Sequence, residues 1–133
     1  MKKLFVSVPM KKRTTEEILD SVEKMHKIAE AIVGEELELI DSFIPDNAPE
    51  NSKQALWYLG KSLEKLAEAD IFISVEDRYD FNGCYIEAIA AQRYNIQSLF
   101  VDARWVITDF TEYQSKLWEE QQSVPVGVVP CIK

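Results

Sequence analysis

A chain of 133 residues, 47% apolar and 29% charged, can bury a core without a metal or disulfide staple, and it is too apolar to be disordered. Its 15 basic and 23 acidic residues leave a net charge of −8, a sign that repels phosphate backbones and argues against nucleic acid as a partner. No apolar run approaches the ~18 residues of a membrane span, and Cys84, Cys131 and the single histidine, His26, fit no metal-ligand spacing.

Residues 3–8 alternate and carry Leu4, Phe5, Val6 and Val8, the pattern of a first strand stopped by Pro9. The N-terminus runs straight into this strand with no small-residue cleavage site, so no signal peptide is expected. Free thiols in such a chain predict a reducing cytoplasm. Thr14 and Glu17 form a capping box for a first helix, whose buried stripe is Ile18, Val22, Met25, Ala29 and Ile32, with Gly34 as C-cap. Residues 37–44 read as a second strand, and the prolines of 45–50 as loop. Asn51 caps a second helix, with Gln54 in the box position. Leu56, Leu59, Leu63 and Leu66 turn one stripe of it towards the sheet. Trp57 and Tyr58 lie off that stripe, at a subunit interface or on a half-buried rim.

Asp70 leads into a third strand, 71–75, followed by a polar loop, 76–83, and a third helix, 84–94. Residues 98–101 form a fourth strand. A fourth helix spans about 109–122, with Phe110, Tyr113, Leu117 and Trp118 on its core side. The tail, 124–133, reads as a fifth strand or a docking segment. Strands alternating with helices at this pace predict one α/β domain over residues 1–133. It is a doubly wound, flavodoxin- or Rossmann-like parallel sheet of four to five strands in the order 2-1-3-4-5.

In such a sheet ligands bind beyond the carboxyl ends of the strands, where the strand order reverses. That point lies between strands 1 and 3. It selects Ser7, Pro9 and Met10 on one side and the loop from Glu76 to Gly83 on the other. Glu76, Asp77 and Asp80, with Glu87 just beyond, are the densest carboxylates in the chain. Gathered in a cleft they suit nucleophilic or acid–base work, because repulsion and burial push their pKa values apart; otherwise they are solvated loop charges. Lys11, Lys12 and Arg13, beside the amino end of the first helix, suit a phosphate. Gly83 allows the turn into the third helix. Cys84 is either small packing or a thiol activated by a helix N-terminus. Arg104 and Trp105 follow strand 4, where they can meet a phosphate and stack on a base, or pair with surplus acid and lie under the tail. His26, beside the apolar stripe, reads as a surface or partly buried residue.

Three segments taken together, Phe5-Val6-Ser7-Val8-Pro9-Met10, Ala69-Asp70-Ile71-Phe72-Ile73 and Asp80-Phe81-Asn82-Gly83-Cys84-Tyr85-Ile86-Glu87, resemble the nucleoside 2-deoxyribosyltransferase-like superfamily. The nearest part of it is a small branch of bacterial and phage proteins, and the likeness covers residues 3–102. It implies a small nucleoside or nucleotide ligand, no cofactor, and a homo-oligomer whose neighbours help close each pocket. The family motif runs approximately Asp-x-Gly-Thr-x-x-Glu, and its glutamate is the nucleophile that takes the deoxyribosyl group from a base. Glu87 matches that glutamate, and Asp80 or Asp77 matches an aspartate near the base or sugar. Cys84 stands where the motif has threonine. The branch usually reads Pro-Met-x-Gly-Arg; here Pro9, Met10, Lys11, Lys12 and Arg13 replace its glycine with lysine, which favours a ligand carrying phosphate. Two functions follow as expectations. One is an enzyme acting at an N-glycosidic bond, a transferase or nucleotide N-glycosidase. The other is an inactive sponge that sequesters a signalling nucleotide, as an anti-defence protein of a phage would.

Overall fold

The computed structural model describes residues 1–42, 44–45, 47–78 and 81–122. Four strands, β1 (Lys3–Val6), β2 (Glu38–Leu39), β3 (Ile71–Val75) and β4 (Gln97–Val101), form one sheet in the order β2-β1-β3-β4. Every pairing is parallel. The helices are α1 (Thr15–Val33), α2 (Gln54–Leu66), α3 (Asn82–Arg93) and α4 (Phe110–Gln122), with a 3-10 turn at Ala103–Trp105. The order is the one the sequence predicts for the first four strands. The segment proposed as a fifth, 124–133, lies outside the described residues.

Alternation along the strands sorts the core into two layers. Leu4, Val6, Ile71, Ile73 and Val75 face α1 and α4, where Met25, Ala29, Val106, Ile107 and Tyr113 cover them. Phe5 and Phe72 point the other way, towards Leu66 of α2 and Ala88 and Ala91 of α3. Their rings stack at 6.0 Å, and Phe100 meets Phe72 edge-on at 6.2 Å. All five residues of β3 are buried, as befits a central strand covered on both faces. Among the described residues no helix is long and apolar enough to cross a membrane.

Local signals are realised closely at α1. Thr14 Oγ1 accepts from the Glu17 amide at 3.1 Å and Glu17 Oε1 accepts from the Thr14 amide at 2.8 Å, while Gly34 closes the helix at φ 83°. His26 and Glu30 then tie the end of α1 to the entry of β2. His26 Nε2 donates to the Leu37 carbonyl at 2.8 Å, and the Leu37 amide donates to Glu30 Oε2 at 2.8 Å.

Elsewhere the structure corrects the sequence reading. Strand β2 is two residues long rather than the eight of 37–44. Among the described residues it is an edge strand paired with β1 alone, itself four residues long, so the pairing stops soon after the Ile40 amide reaches the Leu4 carbonyl. Helix α2 starts after Lys53 with no side-chain cap, and Asn51, expected as the cap, sits at φ 64°. Only its C-terminal half reaches the core: Leu66 is buried and Leu63 partly so, but Leu56 is 65% exposed. Ile32 and Trp118, expected on core faces, are exposed, and Ser21 takes an α1 core position instead. Periodicity finds a helix face correctly, but it does not say how far the sheet beneath that face extends.

Candidate functional site

Strand β1 delivers Ser7 to the edge between β1 and β3. The Ser7 amide continues the ladder by donating to the Ile73 carbonyl at 2.9 Å, and Ser7, Val8 and Pro9 stay buried. On the other side α3 buries Cys84, Glu87, Ala88 and Ala91, a spacing of three, four and seven from Cys84 that lies on one helix face. Because the helix begins at Asn82, two residues earlier than expected, Glu87 sits in its second turn.

Glu87 is the centre of the arrangement. The residue is only 7% exposed, yet both carboxylate oxygens have hydroxyl partners. Ser7 Oγ donates to Oε1 at 2.7 Å and Ser62 Oγ, from α2, donates to Oε2. Burial raises the pKa of Glu87 above the usual glutamate value, and the Ser62 and Ser7 hydrogen bonds pull it back down. Cys84, also buried, has its thiol pushed up to about 12, chiefly by burial, with the Glu87 charge adding to it and the Ser7 and Ser74 hydroxyls opposing it. Ser74 Oγ stands beside that sulfur, buried and without a well-formed hydrogen bond. The thiol is therefore a neutral packing group, not an activated nucleophile.

The remaining candidates divide into separate places. Arg13 turns inward: Nη1 donates to the Pro9 carbonyl at 2.8 Å, Nη2 to the Glu17 carbonyl at 3.1 Å and to Ser21 Oγ, and the guanidinium lies 5.9 Å from the Tyr113 ring centre. Ser21 Oγ in turn donates to the Val106 carbonyl at 2.7 Å. Arg13 thus braces the loop onto α1 and the segment after β4. Met10, Lys11 and Lys12 are exposed on that loop. Lys12 has φ 62°, the left-handed conformation that glycine adopts without strain.

Glu76 is exposed, and its amide donates to the Val101 carbonyl at 2.8 Å, one residue past the end of β3. Asp77 acts electrostatically on Arg104, which is paired with Asp102; that pairing lowers the Asp102 pKa. Trp105 beside it is 72% exposed. Gly83 is the second residue of α3, and a Cβ there would meet nothing within 4 Å, so packing does not demand glycine. Asp80 lies outside the described residues.

The structure therefore joins Ser7, Cys84 and Glu87, groups Asp77 with Arg104 and Trp105 nearby, and turns Arg13 to the interior. Ser62 escaped the sequence reading. Its signal was legible, since a serine in the apolar run Leu59, Ser62, Leu63, Leu66 shares the helix face that meets α3 and the sheet. Two shallow hollows, of about 720 Å³ beside Arg104 and the start of α4 and about 300 Å³ between Pro45 and Lys61, are not lined by Glu87. Among the described residues, no three histidine, cysteine, aspartate or glutamate side chains are placed to hold a metal ion. Compared with protein-family models, curated proteins and solved structures, the chain matches none of them.

Proposed function

We propose that this chain binds a nucleoside or nucleotide at the carboxyl edge between β1 and β3 and acts on its N-glycosidic bond, with Glu87 as the nucleophile. One observation carries the reading. A glutamate is buried on α3 at the strand-order switch point, with hydroxyl donors on both oxygens. Its match to the transferase glutamate in the motif ending Gly83-Cys84-Tyr85-Ile86-Glu87 supports the same assignment. So does Lys12, whose left-handed backbone suits the glycine of the family pattern.

In this reaction a Glu87 oxygen bonds to the anomeric carbon as the bond from that carbon to the base nitrogen breaks, and the base departs with a proton from solvent. The resulting glycosyl ester is cleaved by water, giving free sugar, or by a second base, giving transfer. Asp77 or Asp80 orients base or sugar, and Lys11 and Lys12 meet a phosphate where present. Arg104 and Trp105 offer a cation and an exposed ring on the same edge. Neighbouring copies of the chain would complete each pocket.

The test is release of free base, followed by chromatography, from 2′-deoxynucleosides, their 5′-monophosphates and ADP-ribose-type nucleotides. Wild type is expected to release base and Glu87→Ala to release none. Equal release by the two would overturn Glu87 as nucleophile. A second reading, capture without turnover, is favoured by the near-complete cover over Glu87. It is upheld if wild type releases no base yet yields intact nucleotide after heat denaturation.

A further inference from the structure

We propose that Ser62 is a positioning residue for Glu87, fixing the carboxylate from α2 while Ser7 fixes it from β1. This rests on the reading of Glu87 as nucleophile. A glutamate side chain has three rotatable bonds, and one hydrogen bond leaves the carboxylate free to swing about its last torsion. Ser7 is anchored in the sheet by its amide bond to the Ile73 carbonyl and holds Oε1. Ser62 holds Oε2 from a different element, so the plane of the carboxylate is set by two points that do not move together.

The choice of residue points the same way. Position 62 lies on the apolar face of α2, between Leu59 and Leu66, where a leucine or alanine would serve packing alone. Helix α2 has one buried residue, Leu66, and no side-chain N-cap, and this bond ties it to α3 beside the apolar contact of Leu66 with Ala88 and Ala91.

Among the described residues, the groups facing Glu87 are few. They are Ser7 from β1, Ser62 from α2 and the Cys84 thiol from α3, with Ser74 of β3 and the Arg13 cation acting on that thiol. Burial disfavours the anion and the two hydroxyls offset part of that effect. Loss of Ser62 therefore raises the protonated fraction of Glu87 near neutral pH, and a protonated carboxyl does not attack carbon.

The experiment compares full-length wild type, Ser62→Ala and Ser62→Thr by two readouts. The first is the carboxyl titration of Glu87 by carbon-detected NMR, which needs no activity. The second is the pH profile of base release from 2′-deoxynucleosides and their 5′-monophosphates. The Glu87 midpoint and the acid limb of kcat are expected to move together to higher pH in Ser62→Ala and to return in Ser62→Thr. Loss of one hydrogen bond to a charged group corresponds to a fall of about tenfold or more in kcat, with KM unchanged. A Glu87 midpoint that does not move in Ser62→Ala overturns the proposal whatever the activity. A midpoint that moves in Ser62→Ala while wild type releases no base overturns the parent reading, and Ser62 then positions no nucleophile.

Discussion

Replacing Glu87 by glutamine keeps the shape of the site and removes its charge. The amide oxygen can accept from Ser7 Oγ and the amide nitrogen can donate to Ser62 Oγ, so neither hydroxyl is stranded. What disappears is an anion that burial disfavours more strongly than the two hydroxyls favour it. A carboxyl whose folded pKa lies above its unfolded value binds its proton more tightly when folded. Its stabilising contribution is present in full below the unfolded pKa and is lost as pH rises through the folded one. Wild type carries that loss at neutral pH, and the glutamine variant does not. The gain is about 1.4 kcal/mol for each pH unit between the folded and unfolded values. In a chain of this length, about 1 kcal/mol is worth roughly 3–5 °C in Tm. Thermal denaturation followed by circular dichroism should therefore place Glu87→Gln above wild type at about pH 8, with the gap closing as pH falls to about 4, the unfolded glutamate range. The variant should release no base, because an amide does not attack the anomeric carbon. A gap that stays constant with pH, or a variant melting below wild type at high pH, would refute the account of a buried, burial-strained carboxylate.

Ser21→Ala breaks the relay from Arg13 to the Val106 carbonyl and strands a buried acceptor, so the urea midpoint should fall by the equivalent of about 1–3 kcal/mol; a midpoint equal to wild type would show that Arg13 braces nothing. Lys12→Gly relieves about 1–2 kcal/mol of left-handed strain and returns about 0.4–1 kcal/mol to the unfolded chain, so urea unfolding should show a small net gain. By calorimetry the same variant should bind a 5′-monophosphate more weakly and a nucleoside unchanged, and equal loss for both would remove Lys12 from phosphate contact. In a Cys131→Ser chain, the buried Cys84 thiol, pushed up to about 12, should stay unmodified by iodoacetamide when folded and react fully in denaturant. Rapid labelling of the folded protein, read by intact mass, would contradict its burial.

Much of the site was legible in the chain, for a local reason. The end of β1 and the start of α3 are marked by Pro9, Gly83 and the apolar run 71–75, and strand order then brings those two ends together. Strand order selects Ser7 and the loop as far as Gly83. Cys84 and Glu87 lie just beyond it, and the resemblance of residues 80–87 to the transferase motif is what points to Glu87, which the structure joins with Ser7 and Cys84 in one buried cluster. Arg13 was selected as a cation on a loop, and its inward turn depends on Ser21 and Tyr113, which no spacing within that loop reveals.

The sequence by itself determined what neighbours within a turn or a strand can decide. The capping box at Thr14 and Glu17, the left-handed Gly34 and the two-layer alternation of Leu4, Phe5 and Val6 each depend on residues a few positions apart. Tertiary structure decided what depends on reach. It shortened β2 at the sheet edge and left Leu56 of α2 in solvent. It also carried Ser7 and Ser62, 80 and 25 residues from Glu87, onto the two oxygens of one carboxylate. Periodicity reports which side chains share a face. Only the packing of separate elements sets which polar group meets which, and a buried carboxylate takes its chemistry from those partners.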